Sequence, residues 1–138
     1  MQIIYDISVL GKGYYALRAR TGIFRVIENL ALELLKAQAI SSFSSVLNTG
    51  SYFESIDYLQ SNANLVSIPL IKPDIREDIM QIFKYMHDSK YNKLTPSYAS
   101  MINRFFIKAA NKILQGKVIN HNDLMASDIF HTPFYPFP

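Results

Sequence analysis

The feature that most constrains this chain is an alternation. Short runs of β-branched and apolar residues take turns with longer segments whose apolar residues recur at helical spacing. Residues 2–10, QIIYDISVL, hold one acid, Asp6, in an otherwise apolar stretch and read as a buried strand. Residues 11–21, GKGYYALRART, read as a loop with two glycines and several basic residues. The helix after it takes Thr21 as its N-cap and places Ile23, Ile27, Leu30 and Leu34 on one face. Glu28 in its early turns and Lys36 near its end suit the helix dipole.

SSVLNT at 44–49 reads as a second strand, stopped by Gly50, with a short helix at 52–60. LVSIPLI at 65–71 reads as a third strand, pushed towards an edge by Pro69. Pro73 and Asp74 open the next helix, with Asp74 and Glu77 at capping-box spacing and Ile75, Ile79, Ile82, Phe83 and Met86 on one face. Residues 87–95 read as a polar loop. Thr95 and Pro96 then start a helix whose apolar face runs from Tyr98 to Ile113 and which Gly116 ends. DIFHT at 128–132 is the last short strand, followed by PFYPFP.

This order predicts an α/β fold: a Rossmann-like parallel sheet of about four strands, flanked by helices and joined by right-handed connections. Residues 1–138 are expected to form one such domain, which is an ordinary domain length. A hydrophobic share of 49% against 18% charged is the balance of a chain with a packed core, not of a disordered one. No run approaches the roughly 18 uninterrupted apolar residues of a membrane-spanning helix. MQIIYDISVL has no basic region ahead of its apolar run, so it does not read as a secretory signal. The absence of cysteine excludes disulfide scaffolds, thiolate metal sites and cysteine nucleophiles.

The net charge of +3 is too small to imply nucleic acid. Its distribution says more. Residues 11–25 carry Lys12, Arg18, Arg20 and Arg25 and no acid. Residues 84–117 carry seven basic residues against Asp88 alone. Such surfaces attract phosphates or anionic headgroups, although the second cluster reads first as a solvated helix face.

Parallel sheets bind ligands beyond the carboxyl ends of their strands, which singles out three constellations. Gly11-Lys12-Gly13-Tyr14-Tyr15-Ala16 fits the dinucleotide pattern G-x-G-x-x-G/A after a strand, with Gly13 a candidate for close approach to a phosphate. Helical periodicity begins only after Gly22, however, and no acid ends the second strand, so a flexible glycine loop is favoured. At Thr21-Gly22, a glycine at a helix start would let an anion reach free N–H groups, with Arg25 one turn further on. His131 closes the last strand and can exchange a proton near neutral pH. Nothing local supplies it with a partner, so a structural histidine is the commoner reading. His87 and His121 lie in polar stretches and read as ordinary surface residues. No spacing of His, Asp or Glu predicts a metal site, and no P-loop or G-x-S-x-G is present.

Three segments taken together, IIYDISVLG, RTGIFRVIENLALELL and DIFHTPFYPFP, resemble the N-terminal domain of GT-B glycosyltransferases, and most closely the retaining, family-4 type. The resemblance spans nearly the whole chain but only the front part of a typical member. It implies glycosyl transfer from a nucleotide-sugar donor, bound as substrate, to a glycan or lipid-linked acceptor, with no metal. It also implies a separate donor-binding domain, on the same polypeptide or on a partner chain, without which this part is expected to be inactive. It places Gly22 near the donor phosphate or the acceptor, Arg25 beside Gly22, and His131, the catalytic candidate, facing the cleft near the transferred sugar; Thr21 and Gly13 are counted with Gly22 and Arg25 as candidate phosphate-binding residues. Pro133 stands where many members carry a second histidine, and Thr21 where a second glycine is common. The expected location is cytoplasmic, with the basic 84–117 surface towards the inner membrane face. Two other readings compete. One is a small Rossmann-like protein binding NAD or FAD at Gly11–Ala16. The other is a non-catalytic module that associates through an open sheet edge at the last strand.

Overall fold

The computed structural model describes residues 2–91, Phe105, Ala109, Asn122, Met125 and residues 127–133. In chain order the elements are β1 (Ile3–Asp6), α1 (Ser8–Tyr15), a 3-10 turn (Leu17–Ala19), α2 (Gly22–Lys36), β2 (Ile40–Ser44), α3 (Thr49–Ser61), α4 (Glu77–Tyr91) and β3 (Ile129–His131). The three strands form a parallel sheet in the order β2-β1-β3. Tyr5 of the central strand faces Phe43 on one side and His131 on the other. The fold is α/β, with three strands among the described residues where about four were expected.

The expected strand at 65–71 is reduced to one bridge. Phe43 N donates to the Pro69 carbonyl and Ile71 N to the Phe43 carbonyl, both at 2.8 Å, pairing Leu70 with the outer side of β2. Pro69 cannot donate, and the residues before it are drawn into turns closed on the Asn62 and Leu65 carbonyls.

The first strand is also shorter than expected, four residues instead of nine. The Asp6 carboxylate explains the stop. Its Oδ1 accepts from Ser8 N at 3.2 Å and Ser8 Oγ at 2.6 Å, which turns the chain into a helix. The expected glycine loop is therefore mostly α1. Gly11 and Gly13 act there by lacking a side chain. A Cβ on Gly11 would lie 2.6 Å from the Ser55 backbone nitrogen in α3, and one on Gly13 would lie 2.4 Å from the Phe24 ring in α2. The glycines let α1 pack tightly against both neighbours.

The second strand lies at 40–44, ahead of the expected 44–49. The later residues instead lead into α3, where the Asn48 side chain accepts from Ser51 N at 2.9 Å and Ser51 Oγ completes a capping box. On α2 the buried residues are Phe24, Ile27 and Ala31, while Ile23 and Leu30 are exposed, so the inward face is turned by about one residue from the expected one. Helix α4 starts at Glu77 rather than Asp74 and runs through Tyr91, replacing the first part of the expected polar loop. The expected helix from Thr95 to Gly116 lies outside the described residues except for Phe105 and Ala109, which are helical. The last strand falls where expected, as Ile129–His131.

The core gathers Tyr5, Ile7 and Leu10 with Phe24, Ile27 and Phe43, all closely buried. Each side chain of this kind stabilises the fold by about 2 kcal/mol. Among the described residues, no helix is long and apolar enough to cross a membrane.

Candidate functional site at the carboxyl edge of the sheet

The chain places β2 on one side of β1 and β3 on the other. The strand order thus reverses between β1 and β3, where sheets of this type open a crevice beyond their carboxyl ends. Those ends are Asp6 and His131. Helix α2 also reaches this edge. Its last residue, Lys36, is only four residues from the start of β2, and Ile3 N donates to the Ala39 carbonyl at 3.0 Å. The helix C-terminus is thereby fixed at the amino edge. Fifteen residues rising about 1.5 Å each carry its N-terminus, Thr21-Gly22, back across the sheet to the carboxyl edge.

His131 is exposed and stacks on Tyr5, with ring centroids 5.4 Å apart and planes 8° from parallel. Tyr5 in turn donates its hydroxyl to the Ile27 carbonyl of α2 at 3.3 Å. Burial, helped by the Asp6 charge, pushes the Tyr5 phenol up to about 12, so it stays a donor at any ordinary pH. Next to it, Asp6 is almost fully buried. Its Oδ1 also accepts from Val46 N at 3.2 Å, while its Oδ2 is buried with no hydrogen-bond partner among the described residues. Burial pushes the Asp6 carboxyl above the ordinary aspartate range, against the opposing pull of the Ser8 and Val46 hydrogen bonds and of His131.

Of the residues expected at the site, Thr21, Gly22 and Arg25 share the first turns of α2. Thr21 is extended and its side chain does not cap the helix. Thr21 and Gly22 are exposed, and a Cβ at Gly22 would meet nothing within 4 Å among the described residues. Arg25 is exposed. His131 reaches the same helix through Tyr5 and Ile27. Gly13 does not belong with them. It is buried in α1, its carbonyl accepts from Arg20 Nε at 3.0 Å, and the Arg20 guanidinium lies over the Phe24 ring. Residues 11–15 of the glycine segment, expected as an open loop, lie in α1.

A second polar cluster, which the sequence reading missed, lies where α1, α3 and α4 meet. Asp57 Oδ2 accepts from the Tyr15 hydroxyl at 2.5 Å and pairs with His87 Nε2 at 2.7 Å. One turn earlier on α3, Glu54 accepts from Lys90 Nζ at 3.0 Å and from the Tyr91 hydroxyl. The Tyr15 and Tyr91 rings stack with centroids 3.5 Å apart. Burial and the carboxylate acceptors raise both phenols. His87 is not a surface residue: it is only 6% exposed. Its signal was the apolar spacing of Ile79, Phe83 and Met86, which places position 87 on the same inward face. Beside this cluster is a cavity of about 420 Å³, lined by Lys12, Tyr15, Asn48, Gly50, Glu54, His87, Lys90, Tyr91 and their neighbours. Among the described residues, no group of three or more His, Asp or Glu is placed to hold a metal ion. Comparison with protein-family models, curated proteins and solved structures gives no match.

Proposed function

We propose that this chain forms the acceptor side of a nucleotide-sugar glycosyltransferase of the GT-B, family-4 type, working with a donor-binding domain on the same polypeptide or on a partner chain. One observation carries the reading: His131 and Asp6 end the two adjacent strands at which the sheet order reverses, and the open N-terminus of α2 lies at the same edge.

The chemistry assigns each residue a task. In the transfer, the bond from the sugar's anomeric carbon to the donor phosphate oxygen breaks, a bond to an acceptor oxygen forms, and the acceptor's proton passes to the departing phosphate. Negative charge grows on the leaving nucleoside diphosphate. The free N–H groups at Gly22 and the cation of Arg25 would stabilise that charge without reorganising. His131, held flat against Tyr5, would hydrogen-bond a sugar or acceptor hydroxyl and fix its approach. Asp6 would place a buried acidic group behind it. The donor's base and ribose would be gripped by the other domain, and the work would take place on the cytoplasmic side of a membrane.

The test is a transfer assay with radiolabelled nucleotide sugars, using the protein as its native source produces it. Label appearing in a glycan or lipid fraction, together with release of nucleoside diphosphate, is the expected result. The chain by itself is expected to give none. No transfer from any nucleotide sugar by the native assembly would defeat the reading.

A further inference from the structure

Helix α2 buries Phe24, Ile27 and Ala31 and leaves a second apolar line outside. Ile23, Val26 and Leu30 are large hydrophobic side chains that stay exposed. Leu34, half-buried, and Ala37, exposed at the C-cap, extend the line to the end of the helix. At 3.6 residues per turn these positions fall within about a quarter of the circumference. Buried Ile27 borders the stripe on one side, and exposed Asn29 and Glu33 border it on the other. A contiguous apolar stripe with a polar rim marks a surface that meets a partner.

The spacing identifies that partner. From Ile23 to Ala37 the steps are 3, 4, 4 and 3 residues, the same in either direction, with Leu30 at the centre. A copy of α2 turned end for end about Leu30 therefore matches the stripe position by position. Leu30 meets Leu30, Val26 meets Leu34, and Ile23 meets Ala37. Away from the centre each pair sets a larger side chain against a smaller one, which lets the two rows interdigitate. The charges favour the same arrangement. The first turn of α2 holds no acid, and the Thr21 side chain does not cap it. Antiparallel pairing sets this positive end beside the carboxyl end of the other helix, so the two dipoles attract. Parallel pairing would set Arg25 against Arg25 and Glu33 against Glu33.

We propose that α2 pairs with α2 of a second copy of this chain, antiparallel, across a two-fold axis at Leu30. A single helix pair is small for a specific interface, so the dimer is a weak one with a micromolar dissociation constant. The seam runs along the side of α2, whereas the free N–H groups of a helix start point along its axis. The pairing therefore does not rest on the transfer reading.

The experiment is sedimentation equilibrium of the purified full chain from about 1 µM to about 1 mM. The mass should rise with concentration from 15.8 kDa towards twice that value. Leu30→Glu and Leu30→Lys, each checked for folding by circular dichroism, should weaken association at least about tenfold, because each sets like charges together on the axis. An equimolar mixture of the two variants should recover it, which happens only where residue 30 meets its own copy. Ile82→Glu, at an exposed apolar site on α4, should leave association unchanged. Four results would overturn the proposal: a monomer throughout the range, undiminished association of Leu30→Glu, a mixture no tighter than either variant alone, or equal weakening by Ile82→Glu. None of them bears on transfer at the β1–β3 edge, so the two proposals fail separately.

Discussion

The two polar centres, one at the end of β1 and one at the α1–α3–α4 junction, are built by opposite means. At the end of β1, short side chains do the work. Ser8 Oγ donates to Asp6 and accepts from Val46 N at 2.9 Å, and Ser45 and Ser51 carry the contacts on to the start of α3. Every partner is buried and close to a strand end. At the α1–α3–α4 junction, long side chains from three helices reach towards one another around a cavity. The first centre fixes the backbone. The second is a clasp between helices. A perturbation of α4 should therefore open the clasp and leave the strand ends intact, whereas a perturbation of α1, which touches both, should damage both.

The largest effect should come from Gly11→Val. Its side chain would run into the Ser55 and Glu54 backbone, which cannot move aside as a flexible side chain can. We expect a loss of about 3 kcal/mol in urea unfolding and faster amide exchange in both centres. Next comes His87→Ala, which empties a buried site and leaves Asp57 short of a partner. A loss of about 2 kcal/mol is expected, with amide exchange rising along α4 but not in β1. Equal rises in both regions would show that the centres are not separable. Gly13→Ala should cost less, about 1.5 kcal/mol, because the group it meets is a ring that can shift.

How much of this was legible follows the same division. The alternation of elements, β3 with His131 at its end, and the start of α2 at Thr21-Gly22 could be read because each depends on local residue order. The helix at 8–15 could not, because two glycines usually mark a loop. Here they are explained only by Phe24 and Ser55, which approach from elsewhere in the chain. The strand ISSFS was obscured by its serines, which stand at half-buried and buried positions: Ser41 Oγ donates to the Ile3 carbonyl at 3.2 Å, whereas Ser44 Oγ is buried with no partner among the described residues. His87 was hidden by polar neighbours, although the helical period continued through it. The whole clasp depends on contacts about 30 or more residues apart, which local patterning does not encode.

A smaller effect separates the centres by pH. The Asp6 carboxyl is held above its unfolded value, so the folded chain keeps that proton to higher pH. Its contribution is present in full below the ordinary aspartate range and is lost as pH rises through the raised folded value. The stability of the natural chain relative to Asp6→Asn should therefore fall between acid and neutral pH, as read from urea midpoints. A constant difference would show that Asp6 titrates as an ordinary aspartate. Smallest of all, Arg25→Ala, on the exposed face of α2, should change stability by no more than about 0.5 kcal/mol.

The most direct test of the account is nucleoside diphosphate release by the native assembly carrying Gly22→Val or His131→Ala. The Gly22 position opens onto free space and His131 is exposed, so both variants should fold normally. The account predicts that each lowers turnover at least about tenfold while unfolding at the natural urea midpoint. Natural turnover in both variants would contradict the assignment of this edge as the acceptor side of a transferase.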